Sequence, residues 1–369
     1  MMTAFSLPDY SALASLIASR SKADVLRALH AHAPSINDLA ALLSPAAEEY
    51  LPTMATRSQA ITQQRFGRVI QIYTPLYLSN YCINRCLYCG FSAENRIRRR
   101  CLTLEEVDNE TNLLKSRGVN HLLLVAGEAP KMMGVDFIEQ VAWRLKDHFA
   151  ALSIEVQPLA EAEYVSLFKA GITSVAVYQE TYDPVLYQRL HLAGAKTDYG
   201  YRLATPARAA AAGMREVGIG ALLGLGDWRS EGLALGLHLA WLRKRFWRTG
   251  LTISFPRIRP AEGGFQALSP VSERALSQLI FALRLSDHDV GLLLSTREEA
   301  RYRNGMLGLG PTRYSAGSCT APGGYADTRD SDEQFAVDDQ RSIAEVCAAI
   351  RGQGFDPVRK DWDACFQAF

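Results

Sequence analysis

Three cysteines in one short stretch, Cys82-Ile-Asn-Arg-Cys86-Leu-Tyr-Cys89, are the residues of this sequence best suited to chemistry. Three thiolates converging from one loop can hold an iron–sulfur cluster. A cubane has four irons, so three ligands leave one iron open to a small molecule. The alternative for such thiols is a zinc-bound, non-catalytic scaffold. Structural zinc wants four closed ligands. Cys101 could be the fourth, but no second Cys-x2-Cys or His pair follows. Cys319, Cys347 and Cys365 are isolated and read as ordinary buried or surface thiols.

Other polar residues fall where apolar runs end. Glu155 and Gln157 stand two apart in SIEVQPL, so on a strand they share a face. An inward Glu–Gln pair is costly to bury without a ligand or partner. Arg297 follows GLLLST, and Ser315 and Ser318 close the next extended stretch. An arginine with neighbouring hydroxyls is what the carboxylate of a free amino acid needs. Glu180 and Arg202 read, at their simplest, as an ion pair. Arg257 and Arg259, flanked by Pro256 and Pro260, read as structure rather than catalysis. The run Arg96-Ile-Arg98-Arg99-Arg100 reads as a solvated face, and its position beside the cysteine loop permits docking of an acidic electron donor.

The elements that must position these residues follow a repeating plan. Residues 1–65 carry apolar positions at helical spacing, among them Leu13, Ile17, Val25, Leu29, Leu39 and Leu42. From about residue 66 strands and helices alternate. VIQIYTPLYLS, HLLLVA, SIEVQPL, TSVAVYQ, VGIGALLGL, LTISF, GLLLSTR and a last run near 307–315 are the strands. Thr103 and Glu106 make a capping box for one intervening helix. Gly118, Gly171 and Gly213 each stop a helix just before a strand. About eight strand–helix units imply an α/β fold, a parallel (β/α)8 barrel of TIM type over residues 66–320. An open doubly wound sheet is the alternative. Residues 321–369 form a shorter, more polar extension packing on the barrel, with one helix near 340–352. A barrel puts catalysis at the C-terminal ends of its strands, where the cysteine loop and the polar residues above all fall.

Bulk composition narrows the function. The chain has 369 residues, a formal net charge of +1 and 48% hydrophobic residues, so it can bury a large core and offers no global field for nucleic acid or an anionic membrane. No apolar run nears the roughly 20 residues that span a bilayer, and the N-terminus does not read as a signal peptide. Seven cysteines, three of them clustered, suit a reducing compartment, with the cytoplasm as default.

Cys-x3-Cys-x2-Cys with Tyr88 before the third cysteine resembles the signature of radical S-adenosylmethionine (SAM) enzymes. YLSNYCINRCLYCGF, HLLLVAGE, EVQPLAEAEY, VYQETYDP, SFPRIRPAEGG, LLLSTRE and PGGYAD look like the aromatic amino acid lyase group of that superfamily. They are most similar to the tyrosine lyases that make 2-iminoacetate for the thiazole of thiamine. The resemblance implies a [4Fe–4S] cluster on Cys82, Cys86 and Cys89, and SAM held by Tyr88, Gly127, Glu128, Glu180 and Arg202. It implies a substrate carboxylate on Arg297, Ser315 and Ser318, with Glu155 and Gln157 near nucleoside or substrate. Ala126 stands where many relatives have a further glycine.

The chemistry so implied begins with one electron passing from the reduced cluster to SAM. The resulting 5′-deoxyadenosyl radical takes a hydrogen from the amino group of L-tyrosine. The Cα–Cβ bond then splits into 2-iminoacetate (dehydroglycine) and a p-cresol fragment. Expected partners are a flavodoxin- or ferredoxin-type electron donor and the thiazole synthase subunit that consumes the imine. The segments before 65 and after 320 are candidate surfaces for that subunit, or plugs of the barrel's ends. Two related activities compete. A tryptophan lyase would share the radical and the carboxylate clamp. A hydrogenase-maturation tyrosine lyase would carry a further C-terminal cysteine motif, where this chain has only Cys347 and Cys365 before Phe369.

Overall fold

In the computed structural model, residues 5–326 and 331–359 are described. Cys365 and the last residue of the PGGYAD motif, Asp327, lie outside them. Eight parallel strands close into a barrel: β1 (Val69–Ser79), β2 (His121–Ala126), β3 (Ala151–Glu155), β4 (Ser174–Ala176), β5 (Glu216–Gly220), β6 (Gly250–Ser254), β7 (Gly291–Leu294) and β8 (Arg313–Ser315). Closure is made by β1. Its upper half pairs with β2 from Thr74↔Leu122 onward, and its lower half with β8 at Gln71↔Arg313 to Tyr73↔Ser315. That double pairing excludes the open sheet. A ninth strand, β9 (Asp356–Val358), adds beside β1 at Val69–Gln71 and was not expected from the sequence.

The strands read as continuous apolar runs because both faces are buried. On β2, Leu122 and Leu124 face the helices, while Leu123 and Val125 face inward with Tyr73, Tyr77, Phe91 and Leu293. Several ladders are shorter than the apolar runs. In TSVAVYQ the strand proper is Ser174–Ala176, but Val177 N and Gln179 N still donate to Gly218 O (2.9 Å) and Gly220 O (3.0 Å), and Tyr178 and Glu180 reach the barrel mouth. The helix ends follow the local signals. The Thr103 N–H donates to Glu106 Oε2 (2.7 Å), and Thr103 Oγ1 accepts from Glu106 N. Gly118, Gly171 and Gly213 all have positive φ.

The N-terminal helices Tyr10–Ala18, Lys22–Leu29, Ile36–Leu43 and Leu51–Phe66 lie on the barrel's flank against Trp228–Arg245 and Glu273–Ser286, so they plug neither end. One tie is buried. Glu231 accepts from the Tyr10 hydroxyl (2.9 Å), the Thr181 hydroxyl (2.5 Å) and the Tyr182 N–H (2.8 Å). Burial pushes this carboxyl up to about 7, with those three donors opposing. A carboxyl whose folded pKa lies above its unfolded one contributes stability that is full below the ordinary carboxyl range and lost as pH rises through about 7. Glu231→Gln lacks that loss. It is therefore expected to gain on the parent by up to ~3 kcal/mol between pH 5 and pH 8. Urea midpoints at the two pH values check this, and a difference that stays constant between them would rule it out.

After β8 the chain runs back over the mouth. Asp332 pairs with Arg98 (2.7 Å), Ala336 N donates to Pro260 O, and Asp338 pairs with Arg259 (2.6 Å). Asp339 is fully buried between Arg303 and Arg341. Residues 331–339 thus form a strap across the C-terminal end of the barrel, followed by the helix Ile343–Gly352 and β9.

Candidate active site at the barrel mouth

The cysteine loop leaves β1 at Ser79 and is stitched to its neighbours by backbone bonds. Ile83 N donates to Glu128 O (2.9 Å), Arg85 N to Ala193 O (3.0 Å) and Leu87 N to Leu190 O (3.1 Å). Arg99 grips the loop's own carbonyls at Asn80 (2.6 Å), Phe91 (2.9 Å) and Ser92 (2.6 Å). Arg98 is paired with the strap and Arg100 with Glu106. The run is divided: Arg96 and Arg98 are exposed, as a solvated face would be, while Arg99 braces the loop.

Cys82, Cys86 and Cys89 are free thiols. Cys86 feels the charge of both Cys82 and Cys89, and Cys89 that of Cys82. Burial pushes Cys86 up to about 12 and also raises Cys89, with Lys196 opposing in both cases. Thiols kept protonated by burial give up their protons to a bound cation. Cys101 is no fourth ligand, since its Sγ points at the Met132 carbonyl (3.6 Å). Among the described residues no three Cys, His, Asp or Glu side chains are arranged to hold a single metal ion. The donor set therefore fits a cluster that needs three thiolates and leaves one iron open better than it fits closed zinc.

Below the loop lies a cavity of about 130 Å³. Tyr88 and Cys89 form one part of its wall, Glu155, Tyr178, Glu180 and Lys196 another, and Arg297, Ser315, Ser318, Gln334 and Phe335 a third. The Tyr88 hydroxyl donates to His191 Nε2 (2.7 Å), because His191 Nδ1 carries the proton shared with the Tyr187 carbonyl (2.7 Å). Burial drops this imidazole to about 3, so it is neutral.

Glu180 is the only non-glycine residue with positive φ (70°) among the described residues. The strain aims its carboxylate at two cations. Lys196 is the nearer at 2.6 Å and Arg202 is at 3.5 Å. Burial pushes Glu180 up, but Lys196 and then Arg202 outweigh burial and hold it below the ordinary range. Arg202 stands behind Glu180, bonded to the Tyr178 carbonyl (2.7 Å), and is not on the cavity wall. Glu155 faces the cavity, and burial, with Glu180 adding, pushes its carboxyl up to about 7. Gln157 does not face the cavity. β3 ends at Glu155, so the alternation that would align the two is lost, and the Gln157 amide turns toward the Met133 carbonyl (3.4 Å). Gly127 and Glu128 also stand off the wall. A methyl at Gly127 would lie 2.3 Å from the Tyr81 carbonyl, and Glu128 accepts from the Asn84 amide (2.6 Å).

Arg297 lies over the Phe335 ring, 3.3 Å from its centroid. Ser315 Oγ accepts from Thr296 N (2.9 Å), and Ser318 Oγ is buried without a protein partner. Arg257 is occupied by Glu298 and the Val271 carbonyl, in keeping with its structural reading. Arg259 also reaches the wall while bonded to Asp338. Sequence reasoning missed much of the wall, including Tyr178, Lys196, Gln334 and Phe335. Lys196 sits in an irregular stretch with no periodicity, and the strap offers none either.

Residues 76–231 match the Radical SAM superfamily, and residues 254–356 match the Biotin and Thiamin Synthesis associated domain. The chain is 44% identical to the 2-iminoacetate synthase of Escherichia coli (strain K12) over 357 residues, covering 96% of this chain and 95% of that one. The solved structure of HydG, a maturase of the FeFe-hydrogenase, is similar with a TM-score of 0.90 at 32% identity, covering 97% of this chain and 80% of HydG. Methylornithine synthase (PylB) shares the fold, with a TM-score of 0.75 at 23% identity over 94% of this chain and 99% of that one. No helix among the described residues is long and apolar enough to cross a membrane. The chain belongs to the radical SAM superfamily and, within it, to the family of 2-iminoacetate synthases.

Proposed function

We propose that the chain splits the Cα–Cβ bond of L-tyrosine into 2-iminoacetate and p-cresol, with SAM consumed to 5′-deoxyadenosine and methionine, in the service of thiamine thiazole synthesis. The observation that carries this is one cavity with Tyr88 and Cys89 on one wall and Arg297 with Ser315 and Ser318 on another. When bound, the cluster and SAM supply a 5′-deoxyadenosyl radical. The protein's part is to bind, orient and exclude water. Cys82, Cys86 and Cys89 would hold the cluster. Glu128 and the Gly127 backbone suit the SAM amino group. Glu180, steadied by Lys196 and Arg202, suits its ribose and methionine portion, beside Tyr88. Arg297 would take the tyrosine carboxylate in a two-pronged grip, and the unpartnered Ser318 hydroxyl would complete it.

Glu155 would accept the phenol proton as the ring fragment leaves. Its partner in the free enzyme is the Tyr178 hydroxyl. A base must be ionised to act, so kcat is expected to rise as pH passes through about 7. Glu155→Gln should lower kcat roughly 100-fold and flatten that rise while leaving KM for tyrosine near the parent value. A variant that keeps the same pH limb would remove Glu155 from this role. Anaerobic incubation with SAM, a reductant and either tyrosine or tryptophan tests the activity as a whole. 3-Methylindole-type products in place of p-cresol would overturn it.

Imines hydrolyse readily in water, so direct transfer to the thiazole synthase subunit is part of the proposal, as is an acidic flavodoxin- or ferredoxin-type donor that supplies two electrons per turnover, one to cleave SAM and one, with a proton, to turn the ring-fragment radical into p-cresol. Glyoxylate release that is unchanged when the synthase is added would defeat the transfer.

A further inference from the structure

The strap does more than cover the mouth. Gln334 reaches the cysteine loop, and its Nε2 lies 3.6 Å from Cys89 Sγ. The amide is held in that sense by its other end, where Oε1 accepts from the buried Tyr77 hydroxyl (2.8 Å). Backbone contact fixes the approach. A methyl at Gly90, next to Cys89, would stand 2.3 Å from the Gln334 carbonyl. Gln334 N donates to Thr320 O (3.2 Å), and the Thr320 hydroxyl donates to the Phe335 carbonyl (3.0 Å). On its two sides Asp332 is paired with Arg98, and Phe335 lies under Arg297. The donor is therefore rigid, and Phe91's backbone N–H is the other group bonded to this sulfur.

We propose that Gln334 is a positioning residue for the iron–sulfur cluster, donating a side-chain N–H to the Cys89 thiolate and thereby holding the cluster's reduction potential up. The inference rests on Cys89 being a cluster ligand. Reduction adds negative charge to a cluster, and part of that charge sits on its sulfurs. A hydrogen bond to one of them strengthens on reduction and favours the reduced form. The same strap carries Phe335 to the substrate side, so one segment touches both the electron's entry and the carboxylate clamp.

Two variants of the full chain, reconstituted anaerobically beside the parent, test it. Gln334→Leu keeps the volume and removes the donor, and Gln334→Glu keeps the shape and replaces the donor with a like charge. Iron per chain is measured first, then the midpoint by potentiometric titration followed by electron paramagnetic resonance. At one fixed potential the reduced-to-oxidised ratio is expected to be about tenfold lower in Gln334→Leu, which for one electron is a midpoint shift of about 59 mV. It should be lower still in Gln334→Glu. Full iron with an unchanged midpoint in both overturns the proposal and leaves the cysteine assignment standing. Loss of iron from both variants but not the parent also overturns it, since Gln334 would then brace the loop rather than tune the cluster. A parent that takes up no iron overturns the cysteine assignment itself, and this proposal with it.

Discussion

Alanine at any one of Cys82, Cys86 or Cys89 is expected to leave a chain that holds less than its full iron and forms no detectable 5′-deoxyadenosine. Alanine at Cys347 should leave both unchanged. The loop is held at four places by its own backbone and by Arg99, so it keeps its course without a given thiol, and what is lost is the ligand. Three ligands are the minimum that fills three irons and leaves the fourth open, so no spare exists. Cys101 cannot substitute, because its Sγ is turned to the Met132 carbonyl (3.6 Å). Cys347 is buried in the helix after the strap, away from the mouth. Iron and sulfide content with deoxyadenosine yield check this. Full activity in any one of the three loop variants would refute the cluster site.

The second large effect separates the two ligands. Arg297→Ala should raise the tyrosine requirement roughly 30- to 1,000-fold, the loss of about 2–4 kcal/mol for one buried charge-assisted contact. Arg297 sits on Phe335 and donates to the Arg257 carbonyl (3.3 Å), and among the described residues no carboxylate is ion-paired with it, so its charge is poised for a ligand. In that variant SAM should still be cleaved, with deoxyadenosine formed in excess of cresol. Arg202→Ala should act on the SAM requirement instead, and indirectly, by freeing Glu180 from one of its two cations. Lys196 is left to hold that carboxylate, so the Arg202 effect should be the smaller. Steady-state kinetics varying each substrate in turn decide the matter. Equal effects of both changes on SAM affinity would contradict the division of the cavity.

Local signals in the sequence carried the barrel well. β1 and β2 were legible to the residue because their apolar runs are bounded by turn residues and buried on both faces. The Thr103–Glu106 box and the three helix-stopping glycines are short-range devices, and all four stand where the pattern puts them. What escaped depends on chain segments meeting from a distance. β9 is three residues long and is a strand only because β1 has a free edge at its lower end. Lys196 matters through a contact with Glu180, 16 residues away across the helix Pro184–Leu190, and its own short segment lacks any periodic pattern. Gln157 shows the reverse failure. Period-two alternation is valid only while the strand lasts, and β3 stops at Glu155.

The strap also sets an order of events. Gln334 and Cys89 are 245 residues apart in the chain. At ordinary rates of translation the cysteines emerge roughly 10–50 s before the residue that covers them exists. During that interval the loop, β1 and β2 can form while the mouth stands open to whatever delivers iron. Once residues 331–339 dock through Asp332, Asp338 and Asp339, the same loop lies beneath a cover fastened at both ends. Loading during synthesis therefore meets an open mouth, whereas reloading of a finished chain meets Cys82 and Cys89 half-buried beside the docked strap.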